Sequence, residues 1–281
     1  MGAGNPCAHF YEVTKMDKSA LKNIKLFLFD QDGTLYLGNR LYPFTIEMLE
    51  TIKAKGAKYM FVTNNSSKSV NDYIKKLERL GITAEYDDFL TSSQATAFYL
   101  KKTYPGKVLY VSGTQSLKDE LMREGFTITD DIDKTEVIVM GFDTELTFKK
   151  LEDVSKMLCT KDLPYIATNP DYVCPTEFGS VPDCGSVSDM LYNVSGKRPL
   201  FIGKPSALMA QLAMEKVGVK PEETAVIGDR IYTDVKSGLN AGALAILVMS
   251  GETTYEILEA SEDKPHLVLK DVSEITEVLK S

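Results

Sequence analysis

Asp30 and Asp32 stand one residue apart, directly after the apolar run Leu26-Phe27-Leu28-Phe29 and directly before Gly33 and Thr34. Two carboxylates this close repel unless a cation or a proton lies between them. A hard divalent cation such as Mg²⁺ takes oxygen ligands and would settle the pair. Residues two apart on an extended chain share a face, so both can address one ligand. The plain alternative is an Asp-Gly turn. Other polar sets follow other apolar runs. Thr63-Asn64-Asn65-Ser66-Ser67 offers hydroxyl, amide and backbone N–H donors at a strand end and helix start, where anions bind; Ser and Asn also cap helices there. Lys204 lies between Gly203 and Pro205, where glycine permits close backbone approach and proline opens the next helix. It would be a fixed positive charge near the site, or a surface lysine. Asp229, within Gly228-Asp229-Arg230, would be a further metal ligand, and Asp234 follows five residues later. A turn residue and a helix cap are the alternatives for these two.

The elements that must position these residues are legible as alternating apolar patterns. Leu26–Phe29 reads as a strand buried on both faces. Phe44, Met48, Leu49 and Ile52 recur at helical spacing and Gly56 closes that helix. Tyr59–Val62 is a strand, Val70, Tyr73, Ile74, Leu77 and Leu80 mark a helix, and a short strand near Phe89 precedes a helix over 92–102. Beyond Tyr104-Pro105-Gly106 comes a second alternating set: strands at Val108–Val111, Val137–Gly141 and Tyr165–Thr168, with helices over 114–124 and 147–159. Asn169–Gly185 reads as one long irregular stretch, of the kind that carries function or moves. A helix over about 186–195 leads to Gly196-Lys197-Arg198-Pro199. Strands at Leu200–Ile202, Thr224–Ile227 and Ala243–Met249 then resume the first pattern. Strand–helix alternation implies a parallel sheet covered on both faces. The expected architecture is α/β: a doubly wound, Rossmann-like core over 20–104 and 199–281, an α/β domain inserted at 105–198, and a flexible lead-in over 1–19. Asp30, Thr63, Lys204 and Asp229 would then meet beyond the carboxyl ends of the core strands, where open α/β sheets bind ligands.

Composition narrows the chemistry. The 281 residues carry 32 basic and 40 acidic side chains, a formal charge of −8, which argues against a nucleic-acid partner. No run reaches the roughly 18 apolar residues of a membrane span. The first 18 residues lack the apolar core of a signal peptide, and Pro6 stands where a myristoylation signal wants Ser or Thr. The four cysteines, Cys7, Cys159, Cys174 and Cys184, form no CxxC pattern and read as free thiols of a reducing cytosol. The two histidines, His9 and His266, stand beside no other candidate catalytic residue. A His-based triad therefore has little support, and proton transfer falls to carboxylates.

In their order, Asp-x-Asp-Gly-Thr, Thr-Asn-Asn, Gly-Lys-Pro and Gly-Asp-x₄-Asp resemble the four motifs of the haloacid dehalogenase superfamily of phosphotransferases. The resemblance covers about 20–281. The insert, between the second and third motifs, looks like the type 2 cap of the 4-nitrophenylphosphatase, phosphoglycolate phosphatase and pyridoxal phosphatase branch. Ala167-Thr168-Asn169-Pro170-Asp171 and Gly185-Ser186 are similar to that branch as well. Gln31 departs from the pattern, since hydrophobic residues are common at its position. The resemblance implies a Mg²⁺-dependent phosphatase of small phosphate monoesters. Asp30 would be the nucleophile and Asp32 the acid–base, with a backbone carbonyl on the metal. Thr63, Asn64 and Asn65 would bind the phosphate, Lys204 would offset its charge, Asp30, Asp32 and Asp229 would form the metal site, and Asp234 would support the metal shell or Lys204. It also implies a substrate loop in the cap, with Asn169, Asp171, Tyr172, Cys174 and Glu177 as candidates, and a homodimer formed through the cap. Dehalogenases of the superfamily lack the second Asp, which separates them from this chain. A phosphoacceptor signalling domain of the receiver type would be shorter and uncapped. A non-catalytic phosphate-binding protein on the same fold is the remaining alternative.

Overall fold

The protein is described from a computed structural model covering residues 17–176 and 178–281. Most of the expected lead-in, with Cys7 and His9, lies outside the described residues, as does Glu177. Inside the expected lead-in, Lys18–Asn23 already forms a helical turn, capped by the Asp17 carboxylate and anchored by the fully buried Leu21.

In chain order the strands are β1 (Leu26–Phe29), β2 (Tyr36–Leu37), β3 (Arg40–Leu41), β4 (Lys58–Thr63), β5 (Phe89–Thr91), β6 (Val108–Ser112), β7 (Thr127–Ile128), β8 (Val137–Met140), β9 (Tyr165–Ala167), β10 (Val173–Thr176), β11 (Gly179–Pro182), β12 (Leu200–Phe201), β13 (Thr224–Gly228), β14 (Leu244–Val248) and β15 (Leu267–Leu269). Contacts divide the chain into two units, one of Met1–Thr63, Ile74–Leu90 and Lys204–Ser281, the other of Asn64–Tyr73 and Thr91–Gly203.

The first unit is built on a six-stranded sheet in the order β15-β14-β13-β1-β4-β5. Strands β4, β1, β13, β14 and β15 run parallel. All four side chains of β1 are buried, as an apolar run with helices on both faces requires. From β1 the chain winds to β4 on one side, and from β13 to β14 on the other. The winding therefore reverses between β1 and β13, and a right-handed crossover on each side makes the sheet doubly wound. Asp30 follows β1 and Asp229 closes just beyond β13, so both flank this switch point.

The second unit carries a parallel five-stranded sheet, β12-β9-β8-β6-β7. The helices Phe148–Thr160 and Cys184–Ser195 pack together over it on a core of Tyr110, Ile138, Met140, Val154, Met157 and Leu191. Helix Ser92–Thr103, which begins with a Thr91–Gln94 capping box, packs against helix Gln115–Arg123 in this unit.

Three features depart from the sequence reading. Leu200 and Phe201 pair with Ile166 and Ala167 of β9, so this strand belongs to the second sheet and not to the core. A two-residue apolar run does not declare which sheet it joins. Helix Ser92–Thr103 also groups with the second unit, for the packing reason just given. The stretch Asn169–Gly185 is not irregular throughout: β10 and β11 form an antiparallel hairpin, with Val173 opposite Pro182 and Thr176 opposite Gly179. Pro175 and Pro182 are tolerated because a two-stranded ribbon leaves one side of each strand without ladder bonds.

Candidate active site

Lys204 is the centre of the site. It is 3% exposed, and its ammonium lies 2.6 Å from Asp30 Oδ1 and 2.6 Å from Asp234 Oδ1. It also donates to the Val62 carbonyl at 3.3 Å, one residue before Thr63 at the end of β4. Burial works against the ammonium charge, but the carboxylates of Asp234 and Asp30 hold its pKa above the ordinary lysine value. The surface-lysine alternative is thereby set aside.

Asp30 continues β1, its N–H donating to the Ile227 carbonyl at 2.8 Å. Asp229 leaves β13 into a tightly fitted place. Its Oδ2 accepts the Glu252 N–H at 2.7 Å, and its backbone carbonyl accepts the Thr253 hydroxyl at 2.5 Å. A Cβ on Gly33 or on Gly251 would overlap its carboxylate, and a Cβ on Gly228 would overlap Asp234. Gly33 also has φ +88°, a conformation that glycine adopts freely. Asp234 lies in a π-helical turn, Ile231–Val235, of a kind that recurs at functional sites. Its second oxygen, Oδ2, accepts the Arg230 N–H at 3.1 Å.

Asp30, Asp229 and Asp234 each place a carboxylate oxygen within 4.8 Å of the others. Burial, with Asp30 and Asp234 adding repulsion, pushes the Asp229 carboxyl up to about 7. Its Oδ1 is buried and has no hydrogen-bond partner among the described residues. A buried carboxylate oxygen left bare carries a large desolvation cost unless a cation meets it. An all-oxygen set with one bare ligand atom fits a hard divalent cation. The structure adds Asp234 to the acidic group, although its two oxygens already serve Lys204 and Arg230.

Asp32 stands apart from that group and is half exposed. One oxygen accepts the Gly38 N–H at 3.3 Å from the turn of the β2–β3 hairpin, and the other lies 3.8 Å from Lys76 Nζ. Lys76 in turn sits 4.0 Å over the Tyr36 ring. Gln31 is buried and accepts the Tyr36 hydroxyl at 3.0 Å, so its side chain props the hairpin.

Asn64 and Asn65 belong to the second unit. Asn64 donates its amide to Asp171 at 2.9 Å, and its carbonyl accepts the Ser92 hydroxyl at 2.5 Å. Asn65 Oδ1 accepts both the N–H and the hydroxyl of Ser67, which is the local capping role weighed above. Asn169 is fully buried: its amide donates to Asp171 and Asp183, each at 3.1 Å, and its oxygen accepts the Thr168 hydroxyl at 2.8 Å. It therefore positions Asp171 and offers no free polar atom of its own side chain. Tyr172 is exposed at the base of the hairpin, and Cys174 lies on β10, facing Val181 across the ribbon. Cys159 is an exposed free cysteine and Cys184 a buried one.

The sequence reading missed Ser250–Thr253, which grips Asp229, and Tyr42, whose hydroxyl donates to the Ser250 carbonyl at 2.8 Å. A signal was available. Ser250-Gly251-Glu252-Thr253 follows the apolar β14 as the other motifs follow their strands.

Comparison with known proteins places this geometry. Residues 27–127 match the model of the haloacid dehalogenase-like hydrolases, and 201–275 match a second HAD hydrolase-like model. An acid sugar phosphatase of Staphylococcus saprophyticus is 31% identical over 260 residues, covering 92% of this chain and all of that protein. The chain is a member of the haloacid dehalogenase superfamily. Within it, the structure is similar to the 4-nitrophenylphosphatase of Thermotoga maritima, at 40% identity and a TM-score of 0.88 over 92% of this chain and 98% of that one. The glycerol phosphate phosphatase of Mycobacterium tuberculosis, solved in complex with magnesium, aligns with a TM-score of 0.85 at 25% identity, over 94% of this chain and 80% of that one. The chain belongs to the branch with a type 2 cap and is a phosphoric monoester hydrolase, which sets aside the receiver-type and non-catalytic alternatives. Among the described residues no helix is long and apolar enough to cross a membrane.

Proposed function

We propose that this phosphatase hydrolyses small phosphate monoesters with Mg²⁺ bound, through an aspartyl-phosphate (acyl phosphate) on Asp30. The reading is carried by one observation: Asp30 shares the buried Lys204 ammonium with Asp234, while Asp229 presents a bare, buried oxygen beside them. An Asp30 carboxylate oxygen attacks phosphorus, and the bond from phosphorus to the ester oxygen breaks. Asp32 gives the departing oxygen a proton. It then takes a proton from the water that attacks phosphorus and frees Asp30. Its partial exposure and its hold on the β2–β3 hairpin suit a group that must reach both a leaving group and water. Thr63 and the main-chain N–H groups after it hold phosphoryl oxygens, and Lys204 offsets their charge. Asp30, Asp229 and the Asp32 carbonyl would hold Mg²⁺, with Asp234 fixing Lys204. When bound, the ion supplies charge neutralisation at the transferring phosphoryl group.

Asp171, which Asn169 and Asn64 orient, and the exposed Tyr172 are the proposed determinants of the leaving group. The second unit is proposed as the cap and as the surface of a homodimer; Met190, Val194 and Leu200 are exposed apolar residues on it. A cytoplasmic setting is consistent with the free thiols of Cys159 and Cys184.

Sugar and glycerol phosphates are the first substrates to test, because relatives carry those names. Turnover of these and of 4-nitrophenyl phosphate is measured in excess chelator and after addition of Mg²⁺. Loss in chelator and recovery with Mg²⁺ are expected. Full activity in chelator would contradict the proposal.

A further inference from the structure

Resting on the assignment of Asp229 to the metal, we infer that Glu252 is the positioning residue that presets Asp229 for the cation. Its main chain and its side chain act on opposite sides of one loop. The Glu252 N–H holds Asp229 Oδ2 at 2.7 Å, which turns the bare Oδ1 away from the loop. The Glu252 carboxylate reaches back to the segment that follows Asp229. Its Oε2 lies 2.7 Å from Arg230 Nε, and its Oε1 accepts the Tyr232 hydroxyl at 3.0 Å. One residue thus closes a ring between Ser250–Thr253 and Asp229–Tyr232. The other end of the loop is fixed independently, by the Ser250 hydroxyl on the Gly33 carbonyl at 2.7 Å and by Tyr42 on the Ser250 carbonyl. Two anchors leave the Glu252 N–H little freedom to drift from Asp229.

Glu252 also has an electrostatic task. Arg230 is largely buried, which works against its charge; the carboxylates of Asp30 and Glu252 are the foremost groups that offset that cost. Without Glu252, the acidic groups left facing Arg230 are Asp30, Asp229 and Asp234. A protein cation would then compete for the carboxylates that the metal needs. An ordinary exposed Arg–Glu pair contributes little to stability. This pair differs in that its acidic partner is the residue whose N–H orients a metal-ligand candidate. Partners that orient metal ligands from behind typically govern metal affinity.

The test is calorimetric titration of Mg²⁺ into the substrate-free protein, paired with turnover as a function of Mg²⁺. Glu252→Ala should weaken Mg²⁺ binding about tenfold or more, with a smaller effect on turnover once Mg²⁺ saturates. Glu252→Gln keeps an acceptor for Tyr232 but not the charge facing Arg230, and should recover only part of that loss. Tyr232→Phe, a change at an exposed side chain, should weaken binding in the same direction by less, and it decides the matter if Glu252→Ala does not fold. Parental Mg²⁺ affinity in Glu252→Ala, or in Tyr232→Phe where that variant decides, would overturn the inference. So would turnover lowered equally at every Mg²⁺ concentration with affinity unchanged. Failure of the underlying assignment looks different: the parent would bind no Mg²⁺, and Asp229→Ala would change nothing.

Discussion

Replacing Lys204 by Met keeps most of the side-chain volume and removes the charge. The side chain is 4% exposed, and its partners Asp234 and Asp30 are 1% and 18% exposed. The variant therefore leaves a fully buried carboxylate, and a second mostly buried one, without their cation. Removing one partner of a buried ion pair costs about 3–5 kcal/mol. At about 2–4 °C for each kcal/mol in large domains, the Tm should fall by about 6–20 °C. Thermal unfolding in chelator measures this without interference from a bound cation. The second arm adds Asp234→Asn to Lys204→Met. Neutralising the orphaned carboxylate should return a substantial part of the lost stability. Phosphatase activity should stay abolished, because the phosphoryl group still lacks its fixed cation. A Lys204→Met protein as stable as the parent, or a double variant no more stable than the single one, would refute the argument that Lys204 is held by these two carboxylates.

Three further outcomes are expected. Gly251→Ala places a methyl group against the Asp229 carboxylate, so Mg²⁺ affinity should drop while 4-nitrophenyl phosphate turnover partly recovers at high Mg²⁺; unchanged affinity by titration would contradict the packing described. Asp32→Asn should slow alkyl phosphates far more than 4-nitrophenyl phosphate, whose leaving group needs less protonation; equal losses in kcat would assign Asp32 to the metal or the fold instead. His266 Nδ1 accepts the Ala245 N–H at 2.9 Å, and burial holds its pKa below the ordinary 6.5. The unfolded chain thus binds this proton more readily, so its contribution to stability is complete above pH 6.5 and falls as pH drops below that value. His266→Gln should flatten the dependence of Tm on pH in that range, and an unchanged slope would count against it.

The acidic core of the site was legible because it lies at the ends of strands. Asp30 and Asp229 each follow an apolar run, and the winding of the core sheet brings those two runs side by side; Lys204 also follows an apolar run, but one that pairs in the second sheet. Asp234 was legible by spacing, but its ion pair with Lys204 spans 30 positions and has no local signature. The membership of Leu200 and Phe201 in the second sheet was hidden for a similar reason, since pairing with β9 is a tertiary fact. The hairpin at Val173–Pro182 was masked by prolines that argue against a central strand but not against a ribbon. Asn169 was a candidate by resemblance alone; the sequence does not show that it is buried with all of its named bonds to neighbouring side chains, Asp171 among them. Glu252 has no local signature, because its carboxylate meets Arg230 and Tyr232 on another segment and its backbone N–H is like any other.

In the proposed reaction Asp30 becomes covalently phosphorylated. A single turnover with excess enzyme and Mg²⁺, stopped rapidly in acid and mapped by peptide mass spectrometry, tests it directly. A phosphoryl group is expected on the peptide that contains Asp30, formed before phosphate is released and absent from Asp30→Asn. Phosphate release with no phosphorylated peptide at any time, or with the phosphoryl group on another residue, would contradict it.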